Sequence, residues 1–262
     1  MPTGIGSGIA GQVFMEPHTP GGYACSTGYS AQFDGSTEYG YVSGAPLLGT
    51  AGTGNWTITF FLKTPDATGG GTNQRLFTKQ GGNSTWALYL HIGGYVQWIS
   101  TTVNPGETSW NDGFNSYIVP NNTWTFISYS VDRAGLAKFT ANADIATLNT
   151  KNVAANNITF DTTGSTYLCR TTAGQYFEGN MCHIAFWNSD LNITQLLELY
   201  NNTEGKCYAS DFTFSGNLVN YYPCFNPSGA FTNPLTDLGG ALNMPLFGMD
   251  ATNVSTDYPP TL

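Results

Sequence analysis

Residues 177–200 read FEGNMCHIAFWNSDLNITQLLELY. Met181, Ile184 and Phe186 supply the apolar positions of a strand, and a turn follows. Asn192 is placed to cap a helix, and Gln195, three residues on, to complete a capping box. Ile193, Leu196, Leu197 and Tyr200 then recur at i, i+3, i+4 and i+7, the spacing of one helical face. The stretch predicts a strand, a turn and a short amphipathic helix ending at Tyr200.

Four earlier runs extend this reading. They are YSAQFDGSTEYGYV at 29–42, NWTITFFLK at 55–63, RLFTK at 75–79 and NTWTFISYSVD at 122–132. With 177–200 they make five motifs in a fixed order. The set resembles laminin-G-like domains of the concanavalin A type, whose closing motif runs F-x-G, then an aromatic-Asn pair, then a capped helix ending in Tyr. Asn192 stands where that family usually has Ser or Thr, one capping residue for another. Any one run is common among aromatic strands, but five in family order are specific, and they span residues 29–201. The resemblance implies an all-β jelly-roll sandwich of two antiparallel sheets with one short helix. Trp56, Phe60, Trp124 and Phe126 are expected in its core.

Composition agrees independently. Aromatic residues make up 14% of the chain and charged residues only 10%, and short alternating runs are separated by Gly, Asn and Pro, as in sandwiches. Trp56, Ile58, Phe60 and Leu62 point one way along their strand, with Thr57, Thr59 and Lys63 flanking or opposing them. Trp86, Leu88, Leu90 and Ile92 alternate in the same manner. A chain of 262 residues fits one decorated sandwich whose core folds without metal or disulfides.

The formal net charge is −9, with only 8 Lys and Arg scattered along the chain. No basic stripe exists to neutralise several phosphates, which argues against nucleic acid. No apolar run is long enough to span a bilayer. Residues 1–24 lack the basic and continuous apolar regions of a secretory leader. This Gly- and Pro-rich stretch reads equally as a flexible terminus or as an arm that orders on a partner through Ile5, Ile9, Val13, Phe14 and Met15. The five cysteines, Cys25, Cys169, Cys182, Cys207 and Cys224, contain no C-x-x-C pair or zinc pattern. Cys182 is expected as a buried thiol, and the sequence leaves the proximity of Cys207 and Cys224 open; reduced thiols in a cytoplasm are the default reading.

Residues 218–249 loosely resemble the segment that often opens laminin-G-like domains, through Leu218, Val219, Tyr221, Tyr222, Gly229, Asp237, Gly240 and Leu246. Cys224 departs from it, since an apolar residue is usual there. Its C-terminal place resembles an arrangement in laminin-G-like proteins of bacteriophages. It implies a strand that closes the same sandwich, and 20 residues after Leu242 are too few for a second one. The expected organisation is an arm at 1–24 and one domain at 25–262, closed by 218–262.

Related glycoside hydrolases carry E-x-D-x-x-E on one strand, where paired carboxylates do the chemistry. No such triplet occurs here, and Cys182 and His183 stand where the family is often acidic beyond Glu178. G-x-S-x-G is absent too. His183 is expected as a strand histidine with a satisfied hydrogen bond. An enzyme is not expected, nor a cofactor. Asp34, Asp132, Asp161 and Asp190 sit at strand ends or turns without a D-x-D/N-x-D/N-G loop, Asp34 turning with Gly35, so no obligatory metal is expected. Seven N-x-S/T sequons are read as unglycosylated. The candidate glycan-binding residues are Trp110, Asn111, Asp112, Phe114, Asn115 and Tyr117, which mix stacking surfaces with polar groups. The alternative is a long loop pinned by its own aromatics.

These readings converge on a virion structural protein, a capsid decoration or cement protein exposed on a particle assembled in the host cytoplasm. Its expected partner is the major capsid protein or another virion protein. A homo-oligomer is expected, a trimer by analogy with viral surface proteins. The alternative is a tail-fibre or spike module binding host surface glycans, with a polysaccharide-cleaving enzyme ranked last.

Overall fold

A computed structural model describes residues 29–44, 54–102, 110–113, 116–155, 163–200, 212–224, 231–240 and 242–259. They form a sandwich of two antiparallel sheets with one α-helix. The strands are β1 (Ser30–Asp34), β2 (Tyr39–Ser43), β3 (Trp56–Lys63), β4 (Gln74–Gln80), β5 (Ser84–Leu90), β6 (Val96–Thr102), β7 (Trp110–Gly113), β8 (Thr125–Val131), β9 (Leu136–Ala141), β10 (Asn149–Asn152), β11 (Ser165–Leu168), β12 (Glu178–Trp187), β13 (Leu218–Tyr222), β14 (Leu246–Phe247) and β15 (Val254–Ser255), with α1 (Ile193–Tyr200) after β12. One sheet runs β10-β9-β8-β3-β12-β1-β15, with β13 also pairing β12. The other runs β14-β2-β11-β4-β5-β6-β7. Sequence-distant strands lie side by side in β8-β3-β12-β1-β15 and β14-β2-β11-β4, as in a jelly roll.

The alternation read in β3 is obeyed. Trp56, Ile58, Phe60 and Leu62 are fully buried between the sheets. The Trp56 ring lies 4.7 Å from that of Trp98 and 5.4 Å from that of Tyr129. Ile92 departs from the expectation. β5 ends at Leu90, and Ile92 is 47% exposed, because the chain has already turned away from the core.

The far face of β3 is buried as well. Thr57 Oγ1 donates to the Ser189 carbonyl at 2.8 Å and accepts from Leu191 N–H at 3.0 Å. Trp187 Nε1 donates to Thr59 Oγ1 at 3.2 Å. These polar groups are enclosed because a second hydrophobic cluster covers this side of the sheet. It contains Phe126, Ala185, Trp187, Leu191, Leu196, Phe212 and Phe214. Phe126 therefore belongs to this outer cluster and not to the core between the sheets, while Trp124 is half-buried at the edge of the main core.

The helix carries the capping box its sequence predicts. Asn192 Oδ1 accepts from Gln195 N–H at 3.1 Å, and Gln195 Oε1 accepts from Asn192 N–H at 2.9 Å. Leu196 is buried against the sheet and Tyr200 packs on Phe61 and Phe126. Leu197, assigned to the same face, is 37% exposed; the apolar stripe of this two-turn helix is narrower than its spacing suggests. β13 lies antiparallel to β12, with Ile184 opposite Tyr222, and Asp237 braces it by accepting from Tyr221 N–H at 2.8 Å and Asn220 Nδ2 at 2.7 Å.

Candidate functional site

The helix and residues 212–214 cover the outer face of the eight-stranded sheet. Among the described residues no second hydrophobic cluster lies on the outer face of the seven-stranded sheet, although Thr78, Ala87 and Tyr89 in its middle are buried. Side chains there alternate with the buried Val42, Phe77, Trp86, Leu88, Trp98 and Leu168, so register alone places them together. One row across the sheet runs Tyr41, Tyr167, Thr78, Ala87, Ile99 and Asn111. A parallel row places Phe247 opposite Tyr39 on one side, and Arg75, Tyr89, Gln97 and Gly113 in register on the other.

The two rows form an aromatic platform at the β14–β2–β11 end. Tyr39 and Phe247 stack at 5.0 Å between ring centroids, with planes only 11° apart. Tyr41 and Tyr167 meet at 5.1 Å. Phe247 is 42% exposed, and the three tyrosines are half-buried. Arg170 lies over the Tyr39 ring at 4.2 Å.

Beside the platform a cleft of about 470 Å³ opens over β4, β5 and β6, lined by Arg75, Gln80, Thr85, Ile99, Thr101 and Thr172 among others. Thr85 and Thr101 share a hydroxyl–hydroxyl bond of 2.6 Å. Gln97 Nε2 donates to Asn111 Oδ1 at 2.6 Å. The Arg75 guanidinium sits over the Tyr89 ring at 4.3 Å, and its Nε donates to Gln175 Oε1 at 2.8 Å. Burial lowers the Arg75 pKa from its ordinary value. Below the cleft lies Lys79, 1% exposed, its ammonium donating to the carbonyls of Ser84 at 2.6 Å and Gly81 at 3.2 Å. Aromatic rings, hydroxyls, amides and guanidinium groups thus share one sheet face.

A second cleft, of about 260 Å³, opens where β1, β3 and β12 end, among Asp34, Lys63, Glu178, Asn180 and Asp257. Its carboxylates are tied to neighbouring groups. Asp34 accepts from the N–H and hydroxyl of both Ser36 and Thr37. Burial pushes the Asp34 carboxyl up, but these hydrogen bonds outweigh it and hold the group well below the usual carboxylate range. Asp257 pairs with Lys63 at 2.6 Å and accepts from Trp124 Nε1 at 2.9 Å. Burial raises its carboxyl too, and these contacts again prevail and lower it. Two of the three acids therefore stay ionised as parts of turns and ion pairs.

His183 sits on a bulge of β12, between Cys182 and Ala185, with φ 51°. The bulge lets Cys182 and Ile184 both enter the core and turns His183 outward between two phenols. Nδ1 shares a hydrogen bond with Tyr221 Oη at 2.5 Å, and Nε2 shares one with Tyr258 Oη. Burial lowers the imidazole pKa to about 4. Cys169, Cys182 and Cys224 are buried free thiols, and burial raises the pKa of each.

The glycan candidates chosen from sequence separate in space. Asn111 is exposed on β7 at the edge of the open face. Trp110 and Asp112 lie on the same strand, but their side chains, like Phe114 and Asn115, are outside the described residues. Tyr117 is half-buried against the main core, 6.2 Å from the Phe139 ring. Ile5, Ile9, Val13, Phe14 and Met15, on which attachment to a particle would depend, also lie outside the described residues. Sequence reasoning missed Tyr39, Tyr41, Tyr167 and Phe247. The alternation Tyr39-Gly40-Tyr41-Val42, with Val42 inward, was the available signal.

No protein-family model matches the chain, and neither does any curated protein. Solved structures do resemble it. A candidate carbohydrate-binding protein from Bacteroides ovatus is 14% identical and superposes with a TM-score of 0.60 over 89% of this chain and 60% of that one. A heptameric SAP-like pentraxin from Limulus polyphemus is 10% identical, with a TM-score of 0.48 over 66% of this chain and 82% of that one. Domain 4 of an extracellular arabinanase from Geobacillus stearothermophilus, solved with arabinotriose, is 17% identical, with a TM-score of 0.47 over 65% and 76%. The chain spans only 60% of the Bacteroides protein, and at that identity the likeness is one of fold alone. The fold of this chain is a jelly-roll β-sandwich of two antiparallel sheets with one helix.

Proposed function

We propose that the outer face of the seven-stranded sheet binds a glycan chain. The observation that carries this reading is the platform of Tyr39, Tyr41, Tyr167 and Phe247 continuing into a cleft of threonines and amides. Sugar rings present C–H faces that stack on aromatic planes, while their hydroxyls need donors and acceptors at the rim. Sites of this kind combine an apolar floor with a few placed polar groups. The shared fold of the candidate carbohydrate-binding protein supports the same reading.

A glycan array probed with the purified protein tests it. At least one oligosaccharide class is expected to bind, and Tyr39→Ala with Tyr167→Ala to weaken it by roughly tenfold or more, about 1.4 kcal/mol, with the circular-dichroism spectrum unchanged. A blank array, or variants that bind like wild type, would sink the proposal.

Binding is proposed without cleavage. Asp34 and Asp257 are occupied by structural hydrogen bonds, which leaves Glu178 without a second carboxylate suited to share acid and nucleophile roles. Incubation with the bound polysaccharide is expected to release no reducing ends. Release that Glu178→Gln abolishes would overturn this part of the reading.

A further inference from the structure

We infer that the glycan held on this face is acidic, and that Arg75 and Arg170 receive a carboxylate or sulfate group carried by its sugar rings. The inference rests on the proposed glycan-binding face and names the chemistry of its ligand.

Positive charge is scarce in this chain, 8 residues against 17 acids. Among the described residues Lys63 pairs with Asp257 and Lys138 with Asp190. Arg75 and Arg170 are different. Among the described residues neither guanidinium has a carboxylate within 4.0 Å. Both flank the turn at 170–176: Arg75 bonds Gln175 within it, and Arg170 is bridged to Tyr176 across it. Each guanidinium lies over a tyrosine ring of this sheet face, Arg75 over Tyr89 at 4.3 Å and Arg170 over Tyr39 at 4.2 Å.

Each also uses its Nε on a protein acceptor, Arg75 on Gln175 and Arg170 on the Thr171 carbonyl. The terminal amino groups of both remain for a ligand, in the planar geometry that matches a carboxylate or sulfate. The ring contact and the Nε bond restrain each group in advance, so less freedom is lost on binding. A partly buried guanidinium without a counter-ion is costly; an anionic ligand would relieve that cost at both positions.

The overall charge sharpens the test. A protein of net charge −9 repels a polyanion at long range, so a preference for acidic chains must come from local contacts. Isothermal titration calorimetry would compare oligogalacturonates, sulfated galactan oligosaccharides and neutral manno- and cello-oligosaccharides of equal length. At least one acidic class is expected to bind roughly tenfold or more tightly than the neutral chains. The uronate and sulfate arms show which group is recognised. The double variant Arg75→Gln, Arg170→Gln is expected to lose that preference. Arg75→Lys, which keeps charge but not the planar fork, should recover only part of it. Equal or tighter binding of neutral chains by wild type overturns the inference and leaves the glycan-binding face standing, without recourse to any variant. Acidic binding that survives the double substitution overturns it too. No binding of any oligosaccharide, here and on the array, removes the face reading itself.

Discussion

Gly179→Ala is expected to destabilise the protein by about 3 kcal/mol or more, from backbone strain and overpacking together. Gly179 holds φ 140°, a region that residues with a Cβ rarely adopt. An added Cβ would stand 2.2 Å from the Lys63 carbonyl oxygen, 2.9 Å from the Phe177 ring and 3.0 Å from the Thr64 backbone. The oxygen cannot retreat cheaply. Residue 179 lies in the middle of three paired strands, opposite Phe33 of β1, while Asn180 beside it pairs with Lys63 of β3. In a domain of this size the shift in Tm should be roughly 6–12 °C downward. Gly174→Ala is the control, because a Cβ there meets nothing within 4 Å although φ is also positive. If both variants melt alike, close packing at Gly179 is not what the strand pairing depends on.

The second large effect is on acid stability. The His183 ring, with both nitrogens bonded to tyrosine hydroxyls, has its pKa lowered by burial to about 4, against about 6.5 in an unfolded chain. Above pH 6.5 the ring is neutral in both states and contributes no pH dependence. As pH falls from 6.5 to 4 the unfolded chain takes up a proton that the folded chain refuses, so stability falls. The full loss is at most about 3 kcal/mol by pH 4, and less to the extent that solvent reaches the ring. Glu38 acts in the opposite sense: burial raises its carboxyl, so falling pH relieves it. The measurement is the difference in urea-unfolding free energy between pH 7 and pH 5 for wild type and for His183→Gln. Wild type should lose roughly 2 kcal/mol that the variant does not. Equal losses would mean that His183 protonates as readily in the folded protein as in the unfolded one.

The amino-acid sequence by itself determined the elements whose cause is local. Asn192 and Gln195 are three residues apart, and their reciprocal bonds need only the first turn of a helix. Trp56, Ile58, Phe60 and Leu62 declare the buried face of β3 through a period of two, and five motifs in family order declare the sandwich. Tertiary structure decided what covers the other face. Thr57, Thr59 and Phe126 read as flanking or ordinary core positions until the helix and residues 212–214 close over them. It also decided the site. Tyr39, Tyr167 and Phe247 belong to three strands far apart in the chain, and Arg75 and Arg170 are 95 positions apart. Alternation tells which way each side chain points along its own strand, but only the strand order β14-β2-β11-β4-β5 sets those aromatics and cations beside one another. Pairing between distant strands depends on the closure of the whole sandwich, and no window of sequence contains it.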